Sequence, residues 1–347
     1  VLITLSGCIS IKSGKKDPAG PLGVFKSIDN GATWAHIVTL MNAEGQPLTI
    51  GGLSIEKIVI DPSDFNALYL ITSTGLFFSA DAGQTWVAVP QFANAPINDI
   101  AIDYFDKCNI FVASGQSIYR STDCLRNWKE VYFDKTRPDL QITDIETDHY
   151  NKDFLYAGNS KGEILKSSDF GKTWQQIKVF KNPVKQLLID KFDSRVVYAA
   201  TESAGIYKSV NGGQIWSDEE PQVNINNELT KFRNWNGFYS LIQDPTQPDT
   251  FIWASKFGLL KTTNAGLTWE EINLITPTGD AKIYAVAIDP QDSNKIYYAT
   301  DGTLYITDDG GQTWATQAAP TIEMIKQILI QPDDASIMYI ASKALPR

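Results

Sequence analysis

Seven copies of one octet constrain this chain more than any other feature. The copies are SIDNGATW, SADAGQTW, STDCLRNW, SSDFGKTW, SVNGGQIW, TTNAGLTW and TDDGGQTW, ending at Trp34, Trp86, Trp128, Trp174, Trp216, Trp269 and Trp314. Successive tryptophans lie 52, 42, 46, 42, 53 and 45 residues apart, a period suited to a four-stranded propeller blade. Around each octet run four short stretches rich in β-branched and aromatic residues, bounded by Gly, Pro, Asn and Asp, as strands are. We label them a to d, with the octet between c and d.

The chain ends complete the count. After Trp314 the segments EMIKQILIQP and SIMYIAS match strands a and b, whereas GVFKS near the start matches strand c. The expected fold is all-β: a single seven-bladed propeller of four-stranded antiparallel blades, the last blade closed by two strands from each terminus. Closure leaves only short strand edges, which otherwise invite aggregation. The domain reading places the propeller at 22–347.

Within each octet, Gly tolerates positive φ, and the short polar side chains bond nearby turn amides. Asp29, Asp81, Asp123, Asp169, Asn211, Asn264 and Asp309 are therefore expected as turn residues, with the seven tryptophans packed between blades. No octet has the twelve-residue acidic spacing of an EF-hand calcium loop, and the expectation is no metal and no cofactor.

The pattern SxDxGxTW resembles the Asp-box of the BNR repeat, found in sialidases, sortilin-type receptors, xyloglucanase-type glycoside hydrolases and photosystem II assembly factors. That resemblance implies a propeller whose Asp-boxes lie away from the working face. The sialidase branch holds a substrate carboxylate with three arginines. Of six arginines here, Arg137 and Arg233 fall on the expected working face, and the Arg-Ile-Pro motif is absent, so sialidase activity is rejected. The xyloglucanase-type enzymes place their cleft between two tandem propellers, and this chain reads as one. Asp99 and Asp144, near the channel end of a strands, are read as solvated or hydrogen-bonded structure.

The segment VLITLSGC resembles a bacterial lipobox, which implies a leader at 1–7, lipidation at Cys8 and a linker over 8–21. The basic start of such a leader is missing, as expected of a truncated leader or an alternative start. Membrane attachment through Cys8 and a place in the cell envelope follow. In such an oxidising compartment Cys108 and Cys124, in two turns at one end of the same blade, are expected to form a disulfide. There is no apolar run of 18 residues for a membrane span. The balance of 30 basic and 40 acidic residues, net −10, disfavours nucleic acid.

The d–a connections vary most, and binding residues gather in such loops. Two are long, around Thr39–Gly52 and Asp218–Phe238. The second offers Phe232, Arg233, Trp235 and Tyr239, and a neighbouring loop offers Lys135 and Arg137, residue types that anchor interfaces or stack on sugars. Trp235 and Phe232 read equally well as a plug over the channel. With no recognisable catalytic constellation, the expected function is a non-enzymatic, monomeric envelope scaffold that binds a protein or surface glycan. The alternative is a xyloglucanase-like glycoside hydrolase.

Overall fold

A computed structural model describes residues 20–42, 44–217, 226–279 and 282–345. Cys8 and the rest of the lipobox segment lie outside the described residues. Seven radial sheets surround one channel. Their innermost strands are Ile55–Ile60, Ile97–Ile102, Ile142–Thr147, Val184–Ile189, Phe238–Gln243, Ala285–Ile288 and Met324–Ile330. We number the blades 1 to 7 in that order.

Blade 7 closes the ring as the repeat count requires. Gly23–Ser27 pairs antiparallel with Met338–Lys343, which pairs in turn with Met324–Ile330, and Ala35–His36 forms the outer edge. In blade 4 three strands are assigned among the described residues, and Ser217 N–H donates to Lys208 O of the third at 2.9 Å. The long connection after Trp34 is a hairpin, Thr39–Met41 with Pro47–Thr49, and its first arm exchanges backbone hydrogen bonds with Trp86.

The octets are turns tied to the a–b turn of their own blade. Position four donates its backbone N–H across that gap in every blade, from Asn30 to Ser336 O, from Ala82 to Asn66 O and from Cys124 to Cys108 O, with Phe170, Gly212, Ala265 and Gly310 doing the same. Position four is left-handed in all seven copies, although only two are Gly. The first-position hydroxyl accepts the amide of position five, as Ser79 Oγ does from Gly83 N at 2.9 Å, and donates to Asp81 at 2.7 Å. Asp81 also accepts the Thr85 amide and hydroxyl. Such bonds satisfy groups that the ladder leaves free. Cys108 and Cys124 are joined by a disulfide between these same two turns.

Packing follows the blade interfaces. Trp86 is fully buried and donates Nε1 to Ile37 O of the preceding blade at 2.8 Å, and Trp314 reaches Asn273 O in the same way at 2.7 Å. Trp216 and Trp269 are buried, whereas Trp34, Trp128, Trp174 and Trp314 are half-buried. Apolar clusters fill each wedge between neighbouring sheets.

Candidate active site at the channel mouth

Each inner strand opens on a tetrad in which two apolar residues flank two variable ones: Ile55-Glu56-Lys57-Ile58, Ile97-Asn98-Asp99-Ile100, Ile142-Thr143-Asp144-Ile145, Val184-Lys185-Gln186-Leu187, Phe238-Tyr239-Ser240-Leu241, Ile283-Tyr284-Ala285-Val286 and Ile325-Lys326-Gln327-Ile328. A strict strand alternates, and this spacing breaks the alternation. In six of the seven blades the register shifts at the tetrad, leaving its second residue unpaired. A bulge of this kind re-aims side chains. Both variable positions of the tetrads thereby line a cavity of about 330 Å³ at the channel end nearer the d–a loops.

The third tetrad residues clasp one blade to the next. Gln327 accepts the Ile58 amide at 2.9 Å and donates to its carbonyl at 3.0 Å. Lys57 Nζ meets Asp99 Oδ1 at 2.5 Å, and Asp99 Oδ2 accepts Ile145 N–H at 3.1 Å. Asp144 Oδ2 accepts Leu187 N–H at 2.6 Å, and Gln186 makes paired bonds to the Leu241 amide and carbonyl, both 3.0 Å. The sequence of clasps stops at blades 5 and 6, where the corresponding residues are Ser240 and Ala285. Ser240 Oγ is buried without a partner, and the Tyr239 and Tyr284 rings meet beside it with centroids 4.6 Å apart.

The mouth is therefore two-sided. One wall carries Phe238, Tyr239 and Tyr284; the other carries Lys57, Asp99, Asp144 and Glu146. Burial raises the Asp144 carboxyl well above its usual value, and the negative charge of Asp99 and a hydrogen bond to it add to the effect. Burial likewise pushes Glu146 up to about 7, against the pull of Lys57. For Lys57 burial works downward, but Asp99, Asp144 and Glu146 together outweigh it and raise the ammonium. Three carboxyl groups around one cation cannot all ionise cheaply, so a proton is retained near neutral pH. Among the described residues no group of three or more His, Cys, Asp or Glu is arranged to hold a metal ion.

Of the six residues expected to bind, Tyr239 lines this cavity. Phe232 and Trp235 pack on the core of blade 5, where Phe232 meets Phe257 and the Trp235 carbonyl accepts Trp253 Nε1 at 3.0 Å. Arg137 is held by Asp134 and Glu163 at 2.5 and 2.6 Å, and Arg233 and Lys135 are exposed. Sequence reasoning set Asp99 and Asp144 aside and passed over Lys57, Glu146 and Tyr284. The signal was present in the broken alternation of the tetrads.

The BNR/Asp-box repeat family matches residues 305–316, the strand and octet of blade 6, and the same turn recurs in every blade. This chain is a seven-bladed β-propeller that carries the BNR/Asp-box repeat. A xyloglucanase of Paenibacillus sp is 26% identical over 332 residues, covering 82% of this chain and 30% of the relative. A xyloglucanase of Acetivibrio thermocellus is 25% identical, covering 82% and 36%. The propeller thus spans about a third of the length of these curated relatives. Among solved structures, the GH74 enzyme of Niastella koreensis superposes with a TM-score of 0.65 at 16% identity, covering 84% of this chain and 51% of that one, a likeness of fold.

Similarity to xyloglucanases along most of the chain overturns the expectation of a non-enzymatic binding scaffold. That expectation rested on the lack of a catalytic motif contiguous in sequence. The cluster at the channel mouth draws Lys57, Asp99 and the pair Asp144 and Glu146 from three different blades, which leaves no such motif.

Proposed function

We propose that this propeller takes part in glycoside hydrolysis of a polysaccharide, with the channel mouth as the site. The observation that carries the reading is the pairing of two environments in one cavity: Glu146 held near neutrality at about 7, and Asp99 fixed by Lys57 and two backbone amides while sharing a hydrogen bond with Asp144. A carboxyl that keeps its proton near neutral pH can donate it, and a neighbouring hydrogen-bonded carboxyl pair can receive one.

In this assignment protonated Glu146 donates to the glycosidic oxygen as the bond from that oxygen to the anomeric carbon breaks. Water adds to the anomeric carbon, and its proton passes to the Asp99–Asp144 pair. Return of that proton to Glu146 through solvent restores the starting state. Tyr239 and Tyr284 offer ring faces to a pyranose, and Ser240 Oγ offers a hydrogen bond that the fold leaves unmade. The similarity to xyloglucanases supports a β-glucan backbone as substrate and a place outside the cytoplasm, which the Cys108–Cys124 disulfide also favours.

The test is release of reducing ends from xyloglucan and from other β-glucans, scored between about pH 4 and 9. Turnover is expected to fall above about pH 7 as Glu146 loses its proton, and to be lost in Glu146→Gln and Asp144→Asn proteins that retain the wild-type circular dichroism spectrum. Unchanged turnover in both variants, or no reducing ends from any of these polymers at stoichiometric enzyme, refutes the reading.

A further inference from the structure

The opposite face of the propeller carries an aromatic cluster with a register of its own. At the end of each inner strand stands a buried Asp or Gln: Asp61, Asp103, Asp148, Asp190, Asp244, Asp289 and Gln331. The first six each accept the amide of the residue two positions on, at 2.8 to 2.9 Å. This fixes the backbone of one residue per blade. Those residues are Ser63, Phe105, Tyr150, Phe192, Thr246 and Gln291, with Asp333 in blade 7. The aromatic members fall in three successive blades, 2, 3 and 4.

They are also the residues that water would be expected to reject. Phe105 is 55%, Tyr150 83% and Phe192 47% exposed, and Tyr104 beside them is 45% exposed. These account for four of the five large exposed aromatic side chains among the described residues, the other being Phe133. Tyr104 and His149 meet edge to face at 5.8 Å, joining the turns of blades 2 and 3. Two of the charges nearby are paired, Lys107 with Asp64 and Arg195 with Asp193, both at 2.7 Å.

We propose that this face holds a neutral polysaccharide strand, with Phe105, Tyr150 and Phe192 as successive stacking platforms. Backbone held by these capped turns loses little freedom on binding. The flat faces of the side chains match the apolar faces of pyranose rings, the contact that an uncharged sugar polymer offers. Proline stands next to the capping residue in blades 1, 5, 6 and 7, so the platform is confined to one side of the ring, as a linear occupant requires. Such a surface would keep the enzyme on an insoluble or long polymer while the other face works. The choice of a polysaccharide rests on the hydrolase reading, but the platform makes no contact with the channel mouth.

Native gel electrophoresis through xyloglucan separates the two faces, using the full chain with Glu146→Gln so that the gel is not degraded. Retarded migration is expected. It should weaken in the triple variant Phe105→Ala, Tyr150→Ala and Phe192→Ala, with affinity reduced about tenfold or more and only the hold of the mouth remaining, and be unchanged in Phe133→Ala, which alters an exposed ring outside the platform. Each triple-variant side chain is exposed, so the thermal midpoint should stay unchanged and report correct folding. Retardation unaffected by the triple variant, or no retardation of the parent protein, overturns the proposal whatever the outcome for hydrolysis. A fall in sedimentation coefficient in the triple variant overturns it in favour of self-association.

Discussion

Glu146→Gln should make this protein more stable at neutral pH, and the gain should vanish in acid. Glu146 has its carboxyl raised from an ordinary 4.5 to about 7, chiefly by burial. A group whose folded value is raised contributes stability that is complete below its unfolded value and is lost as pH rises through the folded one. The window is therefore pH 4.5 to about 7. Each tenfold change in proton affinity corresponds to about 1.4 kcal/mol. Partial exposure of the side chain reduces the full sum, leaving roughly 2–3 kcal/mol. Glutamine keeps the shape and removes the titration. For a chain of this length the variant should melt roughly 3–5 °C above wild type at about pH 8 and converge with it near pH 4.5. Calorimetry at half-unit pH intervals measures the difference curve. The box carboxylates Asp169 and Asp309 are lowered by hydrogen bonds, so their contribution is lost in acid; they are present in both proteins and cancel. A difference curve that is flat between about pH 5 and 8 would show that Glu146 is not held protonated, and the acid role would fall with it.

Other expectations concern the frame. Replacing Cys108 and Cys124 by Ser should cost about 3 kcal/mol by denaturant unfolding, the loop being 16 residues, and the wild type should lose the same amount on reduction. Gly162 has φ +83°, and a Cβ there would stand 2.2 Å from Phe180 O; Gly162→Ala should cost about 2–4 kcal/mol, seen as a lower denaturation midpoint. Trp86→Ala, which removes a fully buried ring and its bond to Ile37 O, should cost about 3–5 kcal/mol in the same assay.

The frame was legible because it repeats. Seven octets set the blade number, and the two half-blades at the ends set the closure, since a period can be counted without knowing any contact. The turn itself was only partly legible. Glycine at position five announces positive φ, but position four adopts it too with Asn30, Ala82, Cys124, Phe170 and Ala265, because its amide must reach the a–b turn. Such a demand comes from tertiary structure and leaves no residue preference to read. The site was least legible for a related reason. Asp99 and Asp144 are buried and bonded to backbone amides, as structural carboxylates would be, and it takes Lys57 and Glu146 from other positions of the ring to show the charge balance.

A propeller resolves the conflict between stability and a destabilising acid–base cluster by separating the two. Outer turns, disulfide and interblade tryptophans hold the wheel. The inner strands can then give up regular register to bulges, and the tetrads turn fourteen variable side chains toward one cavity without changing any blade's core. Where clasps are present the inner ring is rigid and polar; where Ser240 and Ala285 stand, the clasp is missing and an aromatic wall takes its place. Lys57, Asp99 and Asp144 on one wall and Tyr239 and Tyr284 on the other arise from the same tetrad in different blades, with Glu146 directly after its tetrad, so one repeat produces both walls of the cavity on which the proposed hydrolysis rests. The octet is bonded into its own turn in every blade, whereas the cavity is lined where the seven copies differ, and that is where the proposed chemistry is sought.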